Sequence, residues 1–208
     1  MRYTILGEPM PVVQCELEAG ESMITERGSM VWMSPNMQME TRGGGLGKMF
    51  AKAFAGESMF QNIYTARGAG MITFGSSFPG QIKAIRIAPG QEKIVQKSSF
   101  LASEVGGNLS IHVQKKLGAG FFGGEGFIMQ KVTGPGLAFF EFDGYCPEYD
   151  LAAGEELTCD TGVLAMMDET AFCERHQIPN ILPPGPVKPL VHIDHRPCPQ
   201  HPSKGLYH

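Results

Sequence analysis

A chain of 208 residues with 42% hydrophobic and 18% charged content can bury a core of useful size and is too apolar to be disordered. Lys plus Arg is 17 and Asp plus Glu is 21, a net charge of −4, which gives no general attraction to nucleic acid or to an anionic membrane. Its 27 glycines call for many tight turns, and no apolar run approaches the ~20 residues of a membrane helix.

In chain order, Met1-Arg2-Tyr3-Thr4-Ile5-Leu6 lacks the long apolar core and cleavage pattern of a signal peptide, so a cytoplasmic location is expected. Cys15, Cys146, Cys159, Cys173 and Cys198 are odd in number and widely spread, which suits reduced thiols better than a disulfide framework. Val13, Cys15 and Leu17 alternate with Gln14 and Glu16, predicting a strand with one face buried. Gly20-Glu21 then leads to Gly28-Ser29-Met30-Val31-Trp32. Met30, Met33, Met37 and Met39 crowd this region, read as core filler or as an adaptable contact surface.

Gly43-Gly44-Gly45-Leu46-Gly47-Lys48 looks like a phosphate loop but lacks the GxxxxGK[ST] spacing. Leu46, Met49, Phe50 and Ala53 fall at i, i+3, i+4 and i+7, predicting one short helix. A box follows, Phe54-Ala55-Gly56-Glu57-Ser58-Met59-Phe60 and then Thr65 to Gly68, and it returns as Phe122-Gly123-Gly124-Glu125-Gly126-Phe127-Ile128 with Thr133 to Gly136. The offset is constant (122 − 54 = 68 and 136 − 68 = 68), the mark of an internal repeat. The turn that opens at Gly20 also recurs. Gly90-Gln91 leads to Ser98-Ser99-Phe100, and Gly154-Glu155 leads to Gly162-Val163-Leu164, the second marker coming eight residues after the first each time.

Between these landmarks Leu109, Ile111 and Val113 alternate with Ser110, His112 and Gln114, and Phe140 and Phe142 alternate with Phe139 and Glu141. Closely spaced strands punctuated by Gly and Pro predict an all-β sandwich or barrel. One β domain is expected over residues 1–172.

Glu57 and Glu125 admit two readings. They face a shared site as a metal centre or acid–base pair, or each satisfies backbone N–H groups in its own Gly-rich turn. Repetition favours the second, because a device needed at each turn recurs with each turn. His112 stands alone on its strand, and a metal site of cupin type needs several converging imidazoles. There is no Gly-x-Ser-x-Gly elbow. No catalytic, cofactor-binding or metal-ligating residue is assigned, and no cofactor is expected.

The opening strand, the GES…GSMVWMS stretch, GESMF, FPGQI, LGAGFFGGEGF and GPGLAF resemble the AIM24 (DUF124) family in order and spacing over about residues 1 to 172. The resemblance implies a TRAP-like repeated β-sandwich or β-prism of antiparallel sheets and a tendency to form homo-oligomers. The family includes a mitochondrial member linked to inner-membrane organisation. It has no agreed catalytic residues to carry over, and the RNA and tryptophan binding of TRAP itself does not follow from a shared fold.

Residues 173–208 depart from the family pattern. Five of the six histidines and eight of the 15 prolines lie there, and the third Gly-Glu box, due 34 residues after Gly154 as Gly124 follows Gly90, is missing. The stretch reads as an irregular, replaced tail, as a genuine tail packed along the sheet, or as a zinc site. The last would use Cys173 and His176 with His192, His195, Cys198 and His201. An incomplete last repeat would leave strand edges uncovered, with lower solubility or rescue by oligomerisation.

The leading functional expectation is a non-enzymatic, self-associating β scaffold or interaction protein. The alternatives are a small-ligand or nucleic-acid binding module of TRAP-like fold and a metal-dependent enzyme of cupin type.

Overall fold

The computed structural model describes residues 1–26, 28–43, 60–111, 129–160, 163–176, 190–195 and 206–207. Among these, every regular element is a β-strand. They run β1 (Arg2–Leu6), β2 (Val12–Leu17), β3 (Ser22–Glu26), β4 (Met30–Met33), β5 (Met37–Gly43), β6 (Phe60–Ala66), β7 (Gly70–Gly75), β8 (Gly80–Ile87), β9 (Glu92–Gln96) and β10 (Phe100–Glu104). Then come β11 (Asn108–Ile111), β12 (Met129–Thr133), β13 (Gly136–Asp143), β14 (Glu148–Tyr149), β15 (Glu156–Asp160), β16 (Met166–Asp168), β17 (Ala171–His176), β18 (Leu190–His195) and β19 (Leu206–Tyr207). The helix expected over 46–53 lies outside the described residues.

The strands form four sheets, β1-β2-β7-β4, β5-β6-β3-β10-β13-β8, β11-β12-β9-β16-β19-β14 and β15-β18-β17, and the strand pairs within them are antiparallel. One order of six strands appears three times. The triplet β5-β6-β3 matches β11-β12-β9 and β17-β18-β15, and β2-β7-β4 matches β8-β13-β10 and β14-β19-β16. The joins match as well, β3 pairing with β10 and β9 pairing with β16.

The single domain expected over 1–172 resolves instead into two compact units that interleave along the sequence. One holds Met1–Ala88, Phe100–Gly107 and Pro135–Tyr145, and the other holds Pro89–Ser99, Asn108–Gly134 and Cys146–His208. The reason is the pairing of strands far apart in the chain, such as β3 with β10, so no linker marks a boundary. The irregular tail expected over 173–208 also needs correction. It contains most of β17 and all of β18 and β19, with Phe172 in register with Asp194 and His176 with Leu190. None of these strands contains a proline; the prolines that suggested irregularity lie outside the described residues.

The first unit packs its two sheets around Val13, Cys15, Leu17, Met23, Tyr64, Ile72, Phe74, Leu101 and Phe139. β2 reads as expected, with Val13, Cys15 and Leu17 buried and the residues between them less so. β13 does not. Leu137 through Phe142 are all buried: Leu137 and Phe139 lie in the core of this unit, and Phe140, of opposite parity, meets Phe100 edge to face at 6.3 Å. The second unit has a smaller core of Ile94, Met129, Leu151, Leu164, Met167 and Ala171.

Candidate functional site

The polar chemistry of the described residues concentrates at turns. Glu18-Ala19-Gly20-Glu21 closes with Glu21 N–H donating to the Glu18 carbonyl at 3.1 Å, and Gly20 has φ +86°. A positive φ at the third position defines a type II turn, which glycine adopts without a Cβ clash. Ala152-Ala153-Gly154-Glu155 repeats this geometry, with Glu155 N–H donating to the Ala152 carbonyl at 2.9 Å and Gly154 at φ +79°. At Gly90 φ is +77°.

In both Glu-bearing turns the side chain folds back. The carboxylate of Glu21 accepts the Glu18 N–H at 2.8 Å, and that of Glu155 accepts the Ala152 N–H at 2.8 Å. Backbone bonds across the turns correspond too. Ala66 N–H donates to the Glu21 carbonyl at 3.0 Å, and Gly134 N–H to the Gln91 carbonyl at 3.0 Å. Eight residues after the first glycines, Gly28 (φ +95°) and Ser98 (φ +80°) again adopt positive φ. Gly162, their expected counterpart, lies outside the described residues.

Other carboxylates are likewise held by backbone or structural partners. Glu104 accepts the Leu137 N–H at 2.8 Å, with the Arg86 guanidinium 3.9 Å away. Glu141 accepts the Ser77 N–H at 2.6 Å and the Ser76 hydroxyl at 2.9 Å, pinning the β7–β8 loop. Lys93 and Asp168, paired across β9 and β16, form an ion pair that is nearly buried. The Met1 ammonium donates to Glu21 at 2.9 Å. That bond chiefly raises the amine above its usual pKa and, with the Glu18 N–H second, lowers the Glu21 carboxyl.

Cys15 is wholly buried, and loss of hydration, with a smaller push from Glu104, raises its thiol to about 12. Such a thiol is almost never a thiolate near neutrality. Desolvation likewise raises the Tyr64 phenol, against a side-chain hydrogen bond with Asn62.

Of the residues singled out in the sequence, Glu57, Glu125, His112 and Lys48 lie outside the described residues, as do Cys198 and His201. The backbone register splits the rest of the zinc reading between two faces, placing Cys173 with His195 on one and His176 with His192 on the other. Residues three apart on a strand occupy positions of opposite parity, and Cys173 and His176 share β17 while His192 and His195 share β18. Cys173 is in register with Ile193, His195 with Ala171, and His192 with Glu174. Spacing suited to a loop knuckle is thus laid out along paired strands. Among the described residues no three His, Cys, Asp or Glu side chains gather where a metal could bind.

The methionines divide. Met37 is buried, Met30 and Met33 pack against the core, and Met39 is exposed, as are Val31 and Trp32. The turn carboxylates of Glu21 and Glu155 were missed as a pair in the sequence, although the recurring Gly-Glu step marked them.

A family profile described as Mitochondrial biogenesis AIM24 matches residues 3–189. The chain belongs to the AIM24 family. The match passes residue 172 and so takes in part of the stretch that looked foreign. This AIM24 chain is 32% identical over 142 residues to an uncharacterized protein, M6_Spy0233, of Streptococcus pyogenes serotype M6, the alignment covering 64% of this chain and 56% of that protein. The chain therefore spans little more than half the length of that relative. It also resembles the crystal structure of protein SPYM3_0169 from Streptococcus pyogenes, with a TM-score of 0.72 and 21% identity over 99% of this chain and 91% of that one. At that identity the likeness supports the all-β fold alone. No helix among the described residues is long and apolar enough to cross a membrane, which leaves strands unaddressed.

Proposed function

We propose that this AIM24 chain is a non-enzymatic scaffold built from three copies of a six-strand unit and that it works by self-association. The observation that carries the reading is the fate of the acidic side chains. Glu21, Glu104, Glu141 and Glu155 each accept a backbone N–H, so these four carboxylates hold turns and loops. The threefold strand order supports the repeat, since each sheet of six joins a triplet from one copy to a triplet from the next. A molecule whose copies join edge to edge within one chain has the surface chemistry to join edge to edge between chains.

Light scattering on size-exclusion fractions from dilute to concentrated solution tests this. The scaffold reading expects masses above that of one 22.6 kDa chain. A mass of one chain at every concentration would contradict it.

A further inference from the structure

The edges of the first unit are unequal. β4 is bulged between Met30 and Trp32. β5 carries Glu40, and β8 carries Lys83 and Arg86. Bulges and charged side chains are the usual means of keeping an edge from pairing with another chain. β1 has no bulge and no charged side chain after its first residue. It is a regular five-residue strand, Arg-Tyr-Thr-Ile-Leu, exposed throughout, with one charge at its first residue, where Arg2 pairs with Glu16 at 2.8 Å.

The core also opens at this edge. Tyr3 is in register with Cys15 and Ile5 with Val13, and both partners are 0% exposed. Tyr3 and Ile5 share that inner side of the sheet, and Tyr3 meets Phe139 edge to face at 5.1 Å. Yet Tyr3 is 43% and Ile5 38% exposed, with Leu6 beside them at 45%. Whatever completes this sheet must offer free backbone groups and apolar side chains at the same alternate positions.

β1 itself meets both conditions. In an antiparallel pair centred on Thr4, Tyr3 of one chain stands opposite Ile5 of the other, Thr4 opposite Thr4, and Arg2 opposite Leu6. Apolar positions then meet apolar positions on the inner side, and the inner surface of each four-stranded sheet continues into the next. We propose that β1 is the self-association edge of this protein and that its occupant is β1 of a second copy, related by a twofold axis through Thr4. This rests on the scaffold reading and names its surface.

Thr4 is exposed and in register with Gln14, away from the core face, so the protomer tolerates replacement there. Thr4→Lys places two ammonium groups opposite each other at the twofold, and Thr4→Glu two carboxylates, both unfavourable. Each variant alone is expected to lose the assembly seen for the wild type in sedimentation velocity, and an equimolar mixture of the two is expected to regain it. Thr4→Cys is expected to give a disulfide-linked dimer that the wild type does not, because opposed Cβ atoms in a sheet come within disulfide reach. If the wild type assembles and both charged variants assemble equally well, the β1 edge is overturned and the scaffold reading survives. If the wild type is a single chain throughout, both fall.

Discussion

At the scale of single residues, several of the described carboxylates tie backbone segments together. The Met1–Glu21 pair makes stability depend on pH in a defined window. The Glu21 carboxyl is lowered on folding, so its contribution is present above the ordinary carboxyl pKa of ~4.3 and is lost as the pH falls below it. The Met1 amine is raised, so its contribution is present below ~8 and is lost as the pH rises past its folded value. The carboxylate is partly exposed, which limits the pair to ~0.2–1 kcal/mol. Glu21→Gln is expected to lower the urea midpoint at pH 6 and to leave it nearly unchanged at pH 3; an equal loss at both would show that the charge is irrelevant. Cys15 offers a second reading of the same environment. With its thiol buried and pushed up to about 12, its alkylation should follow unfolding, and rapid labelling under native conditions would contradict that burial.

At the scale of elements, the turns carry much of what the sequence made legible. Gly20, Gly90 and Gly154 were aligned by spacing alone, and all three adopt positive φ. Gly90→Ala is expected to cost ~1–2 kcal/mol in thermal or denaturant unfolding, since a Cβ is unfavourable there. Ser98 sits at positive φ where its counterpart is Gly28, so Ser98→Gly is expected to stabilise by up to ~1 kcal/mol; a loss would mean that the Ser98 side chain holds the turn. Strand alternation was equally readable in β2. It misled at β13, because a run of alternating Phe residues looks the same whether one face or both are covered. Burial on both sides depends on what packs against each face of the sheet, which period-2 patterning cannot report. Phe139 is fully buried, and Phe139→Ala is expected to cost ~3–5 kcal/mol. The tail misled for a related reason. Its prolines dominate its composition, and strands as short as Leu206–Tyr207 leave little periodic signal between them.

At the scale of the whole molecule, sequence spacing predicts a repeat, and the strand order of β2 to β7 returns in β8 to β13 and in β14 to β19. The pairings of β3 with β10 and β9 with β16 link residues far apart in the chain, and nothing in local sequence marks them, which is also why two interleaved units read as one domain. The candidate site was legible only in outline. The Gly-Glu step was visible, but the return of each carboxylate to a backbone N–H depends on turn geometry.

Joining of sheets at the open β1 edge has a direct readout in amide hydrogen exchange measured from dilute to concentrated protein. The amides of Tyr3 to Leu6 are expected to exchange more slowly as concentration rises, while those of the charged edge β8 do not change. Exchange in β1 that is fast and independent of concentration would contradict it.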